Sequence, residues 1–162
     1  MDNIKMYKKN LISFFVILFI FLIDRTSKFF ILKVSQPLDQ FNFPITSFLN
    51  LNLIWNEGIA FGLLSFNNSI YYHLLTSLII LITLILIWLM LSSEGIEKLC
   101  FSMIIGGSFG NLFDRLYYKS VIDFIDFHIN NFHWFIFNVA DIFISLGVIS
   151  LIFLEILKKK NK

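Results

Sequence analysis

A lone cysteine, Cys100, leaves the chain without an internal disulfide partner, so no disulfide framework holds this fold and cysteine does not mark an oxidising compartment. Histidine is almost as scarce. The three, His73, His128 and His133, are scattered; no HExxH pattern occurs and no Cys/His run has zinc-ligand spacing, so neither a metal nor a cofactor is expected. Proline occurs twice, at Pro37 and Pro44, and charge is sparse at 15% of residues with a formal net of +2. That balance gives no reason to expect nucleic acid as a partner.

What is present in excess is apolar. Of the 162 residues, 57% are hydrophobic and 21 are Phe, more than a soluble domain of this length can bury, so the composition indicates an integral membrane protein. Four stretches approach the roughly 20 apolar residues that a span requires: about 11–32, 69–91, 97–116 and 134–157. The first, LISFFVILFIFLIDRTSKFFIL, follows Lys5, Lys8 and Lys9 as a signal peptide would. No small-residue cleavage pattern follows, and apolar character resumes after Lys28, so it reads as a retained helix.

The expected fold is therefore an all-α integral membrane protein: a four-transmembrane-helix bundle with a small extracytoplasmic β element, forming one membrane domain over residues 1–162. Lysines precede the first span, and Lys158, Lys159, Lys160 and Lys162 follow the last. The positive-inside rule then puts both termini in the cytoplasm, which needs an even number of spans. SSEGIEK (92–98) joins spans two and three inside; the longer connections, about 33–68 and 117–133, lie outside. Within the first, LNLNLIWN (49–56) alternates apolar and polar residues, the period of a strand.

That topology gathers the costly residues into one layer. Asp24, Arg25 and Lys28 lie toward the outer end of span one; Asn111, Asp114 and Arg115 at the outer end of span three; Asn138 and Asp141 at the outer start of span four. Asn56 and Gly58 precede span two, and Asp123 and Asp126 lie in the second outer connection. Asp24 and Lys28 are spaced i,i+4 and can pair. Gly107, Asn111 and Arg115 run down one stripe, and Asn138 and Asp141 are i,i+3. Several of these features have plain structural uses: an interfacial ion pair for Asp24–Lys28, close helix packing for Ser102, Gly106 and Gly110, hydrogen-bonded bystanders for the histidines, an interfacial belt for the aromatics near 117–137, and a solvated charge for Glu155. The aspartates as a group resist such uses, because ionisable side chains at membrane depth are expensive.

Two carboxylates held close cannot both ionise easily; one keeps a proton and the other loses it. Such a pair can activate a water and protonate a carbonyl without metal or nucleophile, which permits an intramembrane aspartic peptidase. A transporter or channel subunit also places charges in the membrane, but a conduit should carry them through the midplane. Here span two and the inner halves of spans one and four are apolar, apart from Glu155. A non-catalytic scaffold would leave the clustered carboxylates unexplained.

Five blocks in order, DRTSK (24–28), NEGIAFG (56–62), GGSFGNLFDR (106–115), VIDFID (121–126) and FNVAD (137–141), resemble lipoprotein signal peptidase, the bacterial signal peptidase II. The resemblance covers nearly the whole chain. It implies an aspartic endopeptidase of the bacterial cytoplasmic (inner) membrane, with its active site near the outer face. Its partners would be diacylglyceryl-modified prolipoproteins, cut just before the lipidated cysteine, and membrane lipid, and the enzyme is expected to act as a monomer. It implies Asp123 and Asp141 as the catalytic pair, supported by Asp24, Lys28, Asn56, Asn111, Asp114, Arg115, Asp126 and Asn138. Gly58, Ala60 and Gly107 match small positions where chain or lipid approaches.

Overall fold

The computed structural model describes residues 2–35, 41–58, 69–129 and 132–160. The element order is α1 (Asp2–Ser35), β1 (Asn42–Thr46), β2 (Leu49–Asn56), α2 (Ser69–Ser92), α3 (Gly95–Tyr117), β3 (Val121–Ile129), β4 (Phe132–Phe137) and α4 (Val139–Lys160). The chain is mostly helical with a small antiparallel sheet. Three of the expected apolar stretches match α1 to α3 within a few residues at most ends, although α1 begins nearer the N-terminus. The fourth does not begin as helix: residues 132–137 form β4, and α4 starts only at Val139. An apolar run carries no period that separates strand from helix.

α2 and α4 are long and apolar enough to cross a membrane, with mean hydropathy of 2.9 and 2.3 over their windows. They are not the core helices of a soluble fold, because most of their residues face outward. α1 likewise exposes Ile12, Phe14, Phe15 and Phe19. Apolar surface this extensive needs a nonaqueous surrounding, and the protein is a membrane protein.

α3 is the central helix and packs against α1, α2 and α4. Its small residues allow the approach. A Cβ on Gly106 would lie 2.9 Å from Ile20 Cβ of α1, and one on Gly107 would lie 2.5 Å from the carbonyl oxygen of Ala140 in α4. The small-residue stripe expected from sequence is thus a packing surface. Gly107→Ala should push α4 off α3 beside Asp141, lowering stability by about 1–3 kcal/mol and reducing activity. A thermal midpoint and cleavage rate equal to those of the native chain would contradict that packing.

The sheet is antiparallel in the order β1-β2-β3-β4. β2 is the strand anticipated at 49–56. It pairs with β3, with Ile54 opposite Asp123 and Asn50 opposite Asp126. Ile31 of α1, Phe41, and Ile122 and Phe124 of β3 form a buried cluster that seats the sheet on the helices. After α3, Tyr118 N–H donates to the Asp114 carbonyl, and Lys119 adopts a left-handed φ of 61°, turning the chain into β3. One turn therefore links Asp114 and Arg115 to Asp123.

Candidate active site

The candidate side chains converge from α1, β2, α3, β3 and the start of α4, and hydrogen bonds join them. Asp123 projects from β3. Its Oδ2 accepts from Asn56 Nδ2 of β2 at 2.9 Å, and its Oδ1 accepts from Asn138 Nδ2 at 2.6 Å. Asp141 lies in the first turn of α4. Its Oδ1 accepts from Asn111 Nδ2 of α3 at 2.8 Å, and its Oδ2 accepts from the Asn138 backbone N–H at 3.2 Å. Asn138 Oδ1 in return accepts from the Asp141 N–H at 3.1 Å. This reciprocal pair is a capping box, so the i,i+3 spacing of Asn138 and Asp141 starts α4 and aims one carboxylate at once. Fully buried Asn138 also bridges the two aspartates: its amide N–H₂ holds Asp123 while its backbone N–H holds Asp141.

Behind this lies a buried ion network. Lys28 Nζ contacts Asp24 Oδ2 at 3.1 Å and Asp114 Oδ2 at 2.7 Å, and donates to Asn111 Oδ1 at 3.0 Å. Arg25 joins the same two carboxylates, at 2.7 Å to Asp24 and 2.6 Å to Asp114. Asp24, Lys28 and Asp114 are almost wholly buried, so each charge depends on the others. Both carboxylates then reach the main chain. Asp24 Oδ1 accepts from Ala140 N–H at 3.1 Å, and Asp114 Oδ2 accepts from Ile122 N–H at 3.3 Å. Each therefore grips the backbone one residue before Asp141 or Asp123. Lys28 adds a further constraint. By donating to Asn111 Oδ1 it orients that amide with its N–H₂ toward Asp141.

Arg115 lies apart from this network. Nη2 donates to the Gly58 carbonyl at 2.6 Å, while the buried Nη1 has no partner among the described residues. Asn56 Oδ1 accepts the Gly58 N–H at 3.0 Å, so Gly58 is held from both sides. Ala60 lies outside the described residues, as does the rest of its block from residue 59. The remaining expected residues are close-knit: Asn56, Asn111, Arg115, Asp123 and Asp141 line a single cleft of about 240 Å³, with Phe137 and Ile144 in its apolar wall. Asp24, Lys28, Gly107, Asp114 and Asn138 support it from behind.

Burial pushes the Asp123 carboxyl up to about 7, and the negative charge of Asp141 adds to the effect; the amides of Asn56 and Asn138 oppose it. A carboxyl poised there can hold or release a proton near neutral pH. The sequence assigns Arg25 no specific role, and the aromatics near 117–137 read there as an interfacial belt, whereas Phe137 of β4 lines the cleft. Arg25 stands beside Asp24 in DRTSK, so this partly buried cation is in view in the sequence, but nothing in its spacing reveals Asp114 as a partner.

Because Arg115 has a planar fork that lines the cleft and holds the Gly58 carbonyl through Nη2, Arg115→Lys should cut activity by about tenfold or more despite the retained charge. Native activity in that variant would remove its positioning role.

The chain matches the family model described as Signal peptidase (SPase) II over residues 16–157. It is 48% identical to the lipoprotein signal peptidase of Pelagibacter ubique over 160 residues, covering 99% of this chain and 95% of that one. It is 44% identical to the lipoprotein signal peptidase of Francisella tularensis subsp. novicida over 121 residues, 72% and 75% of the two chains. Among solved structures, a bacterial membrane enzyme determined by the in meso method at 2.3 Å resolution superposes with a TM-score of 0.79 at 26% identity, covering 93% of this chain and 90% of that one.

Proposed function

The chain belongs to the signal peptidase II family and is a protease that removes signal peptides from prolipoproteins, and from that premise we propose an aspartic mechanism carried by Asp123 and Asp141. The observation that carries it is the bridged pair: two carboxylates on one cleft, joined through Asn138, with Asp123 poised near neutrality. At rest Asp123 holds the shared proton and Asp141 is ionised. Asp141 takes a proton from water as the water oxygen attacks the scissile carbonyl carbon, and Asp123 gives its proton to the carbonyl oxygen. The tetrahedral intermediate collapses as the proton on Asp141 passes to the leaving amide nitrogen and the C–N bond breaks. Asp123 recovers a proton from the intermediate's hydroxyl, which restores the starting state.

Around that chemistry, Arg115 fixes the Gly58 edge of the pocket through Nη2, and Asn111 and Asn138 hold the carboxylates. Asp24, Arg25, Lys28 and Asp114 keep both backbones in place. Asn56 and Gly58 form one lip of the cleft. The substrate is a prolipoprotein bearing a diacylglyceryl cysteine, cut just before that residue. Its lipid and apolar signal helix enter sideways from the bilayer, past the Phe137 and Ile144 wall.

In this reading α1 to α4 all span a bacterial cytoplasmic membrane as one domain and the protein works as a monomer. Both Lys-flanked termini lie in the cytoplasm, and the sheet and cleft lie at the outer interface. Two features support the arrangement: the lysines at both ends of the chain and the exposed apolar faces of α1, α2 and α4.

The test is processing in cells depleted of their own enzyme. Expression of this chain should convert an accumulated lipidated precursor to a product whose new N-terminus, by mass, is the lipidated cysteine. Precursor that stays uncut while the protein is present in the membrane would contradict the substrate assignment.

A further inference from the structure

Asp126, His128 and His133 are left unused by the reaction described above, yet the sheet brings them together. We propose that these three side chains form a binding site for a divalent transition-metal ion of the zinc class, stapling β3 to β4.

The backbone explains the convergence. Asp126 and His128 are two residues apart on β3 and share a face. His133 of β4 lies opposite His128, although Phe127 lies opposite Phe135 and Asp126 opposite Ile136. The register thus skips residue 134. Without that bulge His133 would fall opposite Ile129, on the other face of the sheet; with it, all three side chains share one face, a re-aiming that β-bulges commonly perform. Linear spacing conceals this, which is why the histidines read as bystanders in the sequence.

The side-chain geometry suits a metal. One donor atom from each of the three lies within 4.8 Å of the others. His133 Nδ1 is 2.8 Å and 2.9 Å from the two Asp126 oxygens, and the two imidazoles stack with centroids 5.3 Å apart. Donors on a tetrahedral ion at about 2.0–2.1 Å stand about 3.4 Å apart, and the separations here, from 2.8 Å to no more than 4.8 Å, bracket that value. Two further observations favour an ion. His128 Nδ1 is buried with no hydrogen-bond partner among the described residues, a state that costs its desolvation. Asp126 is fully buried, whereas its partner His133 is half exposed, so movement of the His133 ring would open the carboxylate to a cation. Two imidazoles and a carboxylate are a donor set for zinc and its neighbours rather than for calcium or magnesium. Binding would release to solvent any proton held by the ligating nitrogens, and water would complete the coordination.

This inference does not depend on the peptidase mechanism, and its test reads metal rather than cleavage. Untagged full chain in detergent, stripped with chelator, is titrated with Zn²⁺; bound metal is measured by mass spectrometry and the thermal midpoint is followed. Co²⁺ serves as a spectroscopic stand-in. One Zn²⁺ per chain, a rise in the midpoint and tetrahedral Co²⁺ bands are expected. Affinity should fall by about tenfold or more in His128→Ala and His133→Ala, and remain unchanged in His73→Ala. His128→Gln keeps bulk should the alanine variant fail to fold. No saturable binding, or an equal loss of affinity in His73→Ala, would overturn the proposal.

Discussion

Asp123→Asn and Asp141→Asn are each expected to lower cleavage of a lipidated prolipoprotein by at least about 100-fold, the contribution of a positioned acid or base, while the protein still folds and inserts. Asparagine has nearly the same shape but cannot carry the proton that the pair must share. The two losses should not multiply. Either substitution disables the same unit, so the double variant should resemble the single ones. The amides of Asn56 and Asn138 already donate to Asp123, so an asparagine there sets N–H₂ against a donor on one side. A small drop in thermal midpoint is therefore compatible with the account, and cleavage is the discriminating quantity. Processing that survived either substitution would move the chemistry to another carboxylate, and Asp114 and Asp126 would be the next to test.

Lys28→Met carries the second large effect. Lys28 is almost completely buried and meets Asp24, Asp114 and Asn111 together. Removing its ammonium leaves two buried carboxylates sharing Arg25 alone. Breaking a buried pair on one side costs about 3–5 kcal/mol. The remaining cation places the expected loss near the lower end, about 3 kcal/mol. Activity should fall further than stability explains, for two reasons. The Asn111 amide loses the donor that orients it toward Asp141. The grips of Asp24 on Ala140 N–H and of Asp114 on Ile122 N–H also slacken. Lys28→Arg separates these effects, since it restores charge without the compact tip that reaches Asn111. Thermal unfolding and single-turnover cleavage of both variants check this. Native activity in Lys28→Met would show that the network is structural only.

Much of this site could be read from spacing because helices repeat. Asp24 with Lys28, Gly107 with Asn111 and Arg115, and Asn138 with Asp141 each lie on one helical face or turn, where i,i+3 and i,i+4 neighbours meet. LNLNLIWN could be read as a strand because it alternates. The rest of the sheet was hidden for identifiable reasons. VIDFIDFHI does not alternate cleanly, and β3 carries most of its residues buried on both faces. FHWFIF is apolar apart from His133 and does not alternate cleanly, so it reads as the start of the fourth apolar stretch. The roles of Arg25 and His133 depend on contacts across 89 and 7 residues, the first through helix packing and the second through a bulge. Neither arrangement leaves a periodic trace. The resemblance to a known family, rather than periodicity, singled out Asp123 and Asp141 among the aspartates. The geometry supports that choice by giving both a place on the same cleft.

The most direct test of the two-carboxylate account is the single-turnover cleavage rate of the purified enzyme against pH. With one proton shared by Asp123 and Asp141, the rate should rise from acid pH, where both carboxyls are protonated, and fall again as pH passes through about 7, where Asp123 loses its proton. A rate that stayed flat from about pH 5 to about pH 9 would contradict the shared proton, and with it the central claim that these two aspartates perform the hydrolysis.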